Sequence, residues 1–123
     1  MIPNIRFFPV VGNALAVTIL MILVTIRMIV LSEKRLELSQ TIALLIVSIR
    51  TEEGCLRCDF CRSMEDENEL FLFEEWDTQE NLISHLKSGR FRVLRGAMNL
   101  LKEPYQMMFH TPLQPPGMED VFG

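Results

Sequence analysis

Trp76, the sole tryptophan, and His85, one of two histidines, stand nine positions apart in the stretch FLFEEWDTQENLISHLKSGRF, residues 71–91. A free imidazole titrates near pH 6.5, which suits it to taking a proton at neutral pH. An indole offers a flat apolar wall and a single N–H donor. Together they could hold a flat, weakly acidic molecule and remove a proton from it. The same residue types also fit plain packing, with the imidazole beside Leu82 and Leu86 and bonded to a backbone carbonyl. Alternation along a strand puts Glu74 on the face of Trp76 with Leu70 and Leu72, so Glu74 enters any site that Trp76 lines. Thr25 and Arg27 share one face of an earlier strand, where the guanidinium could anchor a phenolate or carboxylate. Parity alone does not tell which face looks at the helices. Phe91 and Tyr105 are candidate aromatic lining, and His110, near the end of the last strand, is expected at the surface.

Cys55, Cys58 and Cys61 follow the spacing C-x2-C-x2-C, which can hold an iron–sulfur cluster. CLRCDFCR reads as a strand instead, which turns Cys58 away from the other two and sets Cys55 and Cys61 roughly 20 Å apart. That exceeds the reach of a shared metal or a disulfide. No metal site is expected, and three unpaired thiols point to a reducing, cytoplasmic setting.

The elements that must position these residues follow from periodicity. ILVTIRMIVL is rich in β-branched residues and reads as a first strand near 20–30. Ser32 then stands as an N-cap, and Leu38, Ile42, Leu45 and Ile49 recur at helical spacing up to a stop at Gly54. Strands at 55–62 and 69–76 flank the polar turn SMEDEN as a hairpin with a longer loop. Asp77 with Glu80 fits a cap opening a short helix to about residue 87, broken by Gly89. Phe91, Leu94, Met98 and Leu101 mark another helix, Pro104 ends it, and 105–111 is a last strand. The order β-α-β-β-α-β predicts an α+β, ferredoxin-like fold: a four-stranded antiparallel sheet with helices on one face. Phe71, Phe73 and Met107 are too apolar to leave the other face wet, which predicts a homodimer through that sheet face.

At 123 residues the chain has the length of one domain, with 1–20 as an apolar extension, 21–111 as the domain and 112–123 as a Pro/Gly-rich tail. Residues 7–26 carry no charge, about the length of a membrane span. Pro9, Gly12 and Asn13 interrupt the run, so a core strand preceded by an extension is favoured over a membrane anchor. The net charge of −4 argues against nucleic acid as a partner. Charge is segregated: Glu52 to Glu80 holds eleven acids and two bases, whereas Lys87 to Lys102 holds five bases and no acid. Such patches are ordinarily solvated faces, although they can also steer a ligand or pair two copies.

The blocks ILVTIRMIV, TEEGCLRCDFCRS, FLFEEWDTQENLISHLKSGRF and a closing strand after EPYQ come in an order that resembles the antibiotic biosynthesis monooxygenase domain, of the dimeric α+β barrel superfamily. The resemblance runs from about residue 21 to 111. It implies a homodimer whose two sheets form a barrel, with a small-molecule pocket in each subunit between sheet and helices. It also implies a monooxygenase that needs no cofactor and oxidises a small aromatic, quinol or polyphenol with O2. His85 and Trp76 would then be catalytic, with Thr25, Arg27, Glu74, Phe91 and Tyr105 binding substrate. The alternative on the same fold is a non-oxygenase protein that binds or processes a small metabolite. Haem-degrading relatives add an Asn on the first strand to the Trp and His. LVTIRMI (23–29) has none, which disfavours that branch.

Overall fold

The computed structural model describes residues 21–112 and residue 121. Seven elements follow in order: β1 (Ile22–Ile29), α1 (Arg35–Ile49), β2 (Cys55–Arg62), β3 (Glu69–Trp76), α2 (Gln79–Leu86), α3 (Gly89–Ala97) and β4 (Gln106–His110). All strand pairs are antiparallel, in the order β2-β3-β1-β4, so β1 and β3 are central and the sheet is open. This is the expected α+β, ferredoxin-like arrangement.

The core lies where periodicity directs it. Val24, Ile26 and Met28 of β1 and Leu70, Leu72 and Trp76 of β3 are buried, with burial alternating residue by residue as a pleated strand requires. They meet Leu38, Ile42, Ile46 and Ile49 of α1, Leu82 of α2 and Phe91 and Leu94 of α3. Ile46 takes the central place expected of Leu45, which packs at the flank of the stripe. At about 25 cal/mol per Å² of apolar surface, each such residue contributes roughly 1.5–3 kcal/mol on burial.

Local chemistry moves three boundaries. Ser32 opens a single 3-10 turn, Ser32–Lys34, and α1 starts only at Arg35. The cap of α2 is Thr78 rather than Asp77: its hydroxyl accepts from the backbone N–H of Asn81 at 3.1 Å. Asp77 instead accepts from the Asn81 side-chain amide at 2.8 Å. Gly89 does not merely break a helix, because Ser88 caps α3 by accepting from Phe91 N–H at 3.2 Å, leaving Gly89 as its first residue.

The cysteine strand departs further from simple alternation. A bulge between Cys55 and Arg57 inserts one residue, so Cys55 lies opposite Trp76 and Cys58 opposite Glu74. Both therefore face the helices, and only Cys61, opposite Phe71, faces away. The open face carries Leu23, Thr25, Arg27, Phe71, Phe73 and Met108, with the rings of Phe71 and Phe73 stacked at 5.8 Å. Met107, expected on that face, lies opposite Ile26 and packs against the core.

Gly54 is the one described glycine with positive φ, +83°. A side chain there would run into Asn81 Nδ2 and Asp77 Oδ1. Gly54→Ala is therefore expected to destabilise by more than the ~1–2 kcal/mol of left-handed backbone strain alone, read as a lowered urea midpoint at unchanged slope.

Among the described residues no helix is long and apolar enough to cross a membrane. Residues 22–26, the end of the uncharged run, lie in β1. Residues 1–20 and the tail from 113, except 121, lie outside the described residues, and the expectations about them with it.

Candidate functional site

Glu74 and Trp76 sit two residues apart on β3 and point to the helix side, fully buried. The indole N–H donates to Glu74 Oε1 at 2.9 Å. The Thr78 cap sets the phase of α2, so that Leu82 and His85, three apart, are its buried residues. The imidazole of His85 then lies over the indole, with ring centroids 4.5 Å apart and planes tilted by 28°. Phe91 of α3 meets the imidazole in a T-shaped contact, with centroids 5.5 Å apart.

Both imidazole nitrogens face carboxylates. Nδ1 stands 3.0 and 3.1 Å from the two oxygens of Glu52, which lies in the turn between α1 and β2. Nε2 stands 3.2 Å from Glu74 Oε1, within ion-pair range but without the alignment of a hydrogen bond. The side chains of His85 and Glu74 are sealed from solvent, and that of Glu52 is 11% exposed. Burial works against charge on His85, but Glu74 and then Glu52 outweigh it and raise the imidazole pKa. The site is thus built for an imidazolium between two carboxylates. Glu74 Oε2 is buried with no hydrogen-bond partner among the described residues.

Two thiols border this charge. Burial first, and then the Glu74 carboxylate, pushes the pKa of both Cys55 and Cys58 up, most strongly at Cys58. They are held as poor nucleophiles. All three cysteines are free, and the described residues contain no cluster of three side chains suited to a metal ion.

The structure brings Trp76, His85, Glu74 and Phe91 together. Thr25 and Arg27 lie on the opposite, open face, because inward-facing β1 positions are the even ones, Val24, Ile26 and Met28. Thr25 Oγ1 meets His110 Nε2 at 3.2 Å there, and Arg27 pairs with Glu69 through Nε at 3.0 Å. His110 is half-buried rather than exposed. Tyr105 packs against the core just ahead of β4. Glu52 carried no signal in the sequence, since nothing in Thr51-Glu52-Glu53-Gly54 distinguishes it from Glu53.

Beside this cluster runs a mainly apolar groove of about 340 Å³ lined by Ile22, Gln79, Leu82, Ile83, Leu86, Phe109, His110 and Thr111. Ile22 is the strand partner of Trp76. Leu82 and Leu86 flank His85 on α2, so that helix is the shared wall of groove and buried cluster.

A family model described as antibiotic biosynthesis monooxygenase matches residues 21–96. Solved structures agree in fold. A protein from Mycobacterium tuberculosis is 26% identical, covering 78% of this chain and 98% of its own at a TM-score of 0.72. A conserved protein from Methanosarcina mazei is 24% identical over 76% of this chain and 93% of its own, also at 0.72. A structure named antibiotic biosynthesis monooxygenase is 17% identical over 76% of this chain and 99% of its own, at 0.71. No curated protein matches the sequence.

Proposed function

The chain belongs to the antibiotic biosynthesis monooxygenase family, and we propose from that premise that it oxidises a small electron-rich aromatic, a quinol or polyphenol, with O2 and without a cofactor. The observation that carries this reading is the sealed Trp76–His85–Glu74 cluster, an acid–base couple on an aromatic wall inside an apolar core. In such a reaction the deprotonated substrate passes electrons to O2 itself. One oxygen atom enters the product, the other leaves as water, and the substrate supplies all the electrons. What remains for the protein is to exclude water, move a proton and stabilise an anion. His85 and Trp76 are the catalytic residues in this reading, with Glu74 as partner to both.

The groove along α2 is the seat for the aromatic ring. Its volume of about 340 Å³ lies within the range of small-ligand sites, and Leu82 and Leu86, which line it, flank His85 on α2. Phe91 supports the imidazole from within. Thr25 and Arg27 contact no substrate in this reading, because they belong to the other face.

That face is the proposed homodimer contact. Phe71, Phe73, Leu23 and Met108, the last 55% exposed, form an apolar sheet surface that a second copy would cover. Sedimentation at micromolar concentration is expected to give twice the chain mass, and Phe73→Glu to give the monomer. A monomeric mass for the wild type would refute the dimer.

The oxygenase reading is tested by O2 consumption with a panel of hydroquinones and polyphenols in metal-free buffer. Uptake that disappears in His85→Gln is the expected result. No uptake with any of them, despite saturable binding of the same compounds, would leave the family fold serving as a small-molecule binding protein.

A further inference from the structure

An imidazole acts as a base only while one nitrogen has a free lone pair. In His85 neither is free to solvent or to a neutral partner. Nδ1 faces Glu52 at 3.0 Å, and Nε2 lies 3.2 Å from Glu74 Oε1 without an aligned hydrogen bond, so an acidic oxygen beside each nitrogen favours the ring with both carrying hydrogen. The stacked indole of Trp76 and the edge of Phe91 keep the ring from turning out of this bracket. Glu74 differs from Glu52 in one respect. Its Oε1 receives the indole N–H and faces the imidazole, while Oε2 is buried and has no partner among the described residues.

We infer that Glu52 is a positioning residue that holds His85 as a fixed cation, and that the open proton acceptor of the site is Oε2 of Glu74. Glu52 has the geometry for this role. Both its oxygens lie within 3.1 Å of one nitrogen, and its side chain is only 11% exposed, so it is nearly desolvated against the ring. The fixed cation then offsets the buried charge of Glu74 and stands ready to stabilise a substrate anion, while the substrate O–H bond breaks and its proton passes to Oε2. The proton returns from Oε2 to reduced oxygen, and the hydrogen displaced from the oxygenated substrate carbon supplies the second proton of the water, so the protein ends the cycle as it began. The other groups around the ring leave this charge balance in place. Cys55 and Cys58 on β2 are held as neutral thiols, Phe91 on α3 is apolar, and Leu82 and Leu86 flank His85 on its own helix.

The first half of the inference is independent of the reaction, whereas the second rests on the oxygenase reading. Nitrogen NMR of the His85 ring in the full chain decides the first. The ring is expected to deprotonate with a midpoint above its ordinary 6.5 in the wild type. In Glu52→Gln the midpoint of ring deprotonation is expected to fall by about one pH unit or more, with Glu52→Asp restoring part of the shift. A midpoint at or below 6.5 in the wild type, or an unmoved midpoint in Glu52→Gln, overturns it. The steady-state kinetics of O2 uptake decide the second. Glu74→Gln and the charge-conserving Glu74→Asp are expected to lower kcat by about 100-fold and 10-fold with little change in KM. Retention of kcat in both overturns the assignment of Glu74. Absence of uptake in the wild type refutes the oxygenase reading and this assignment together, and leaves the NMR result on Glu52 standing.

Discussion

Replacing His85 with alanine is expected to remove about 3–5 kcal/mol of stability, because it leaves Glu74 charged and alone in the core. The carboxylate of Glu74 has no solvent exposure, and its remaining donor is the indole N–H at 2.9 Å. A vacated space beside Trp76 adds to the cost. For a domain of this size the loss corresponds to a fall in Tm of at least roughly 12 °C. Glu74→Gln should also destabilise, since it strips the imidazolium of its inner partner. The double variant should be less damaged than the sum of the two, with a coupling of about 1 kcal/mol or more in a double-mutant cycle. Additive losses would mean that the pair contributes through packing rather than charge.

The second large effect is in pH. The pKa of His85 is raised in the folded chain, and its ordinary value is 6.5. The folded state therefore binds the proton more tightly than the unfolded one. Its stabilising contribution is complete below about pH 6.5 and is lost as pH rises through the folded value. Thermal melts should accordingly show Tm falling on the alkaline side of neutrality. His85→Gln carries no titrating ring, so its profile should be flatter over the same window. A wild-type Tm that rises with pH across this range would contradict the bracketed imidazolium.

Much of the fold was legible because the inward face of each element repeats. Leu38, Ile42 and Ile49 declare one helical stripe, and Leu70, Leu72 and Trp76 declare one strand face. Strand β3 begins and ends where its alternation does, and β2 runs from just after Gly54 to the polar turn. The site was legible only in part, and the reason is geometric. His85 and Trp76 lie on regular elements whose orientation follows from spacing, and so does Glu74. Glu52 lies in a turn, where direction is set by backbone torsions that no periodicity records. Thr25 and Arg27 were placed on one face correctly, but a single strand cannot say which of its faces the helices cover. Alternation also misplaced Cys55, because one added residue in β2 reverses the parity of everything before it.

That same irregularity bears on how copies of the chain can meet. β2 forms one border of the sheet, where an extra strand could be added and aggregation could begin. The bulge interrupts its hydrogen-bonding repeat, Arg57 and Asp59 pair beside it, and the carbonyl of Cys58 is already taken by Arg50 Nε at 2.9 Å. A neighbouring strand would find an uneven, charged and partly occupied border. Growth by edge addition into an open-ended fibre is thereby discouraged along β2.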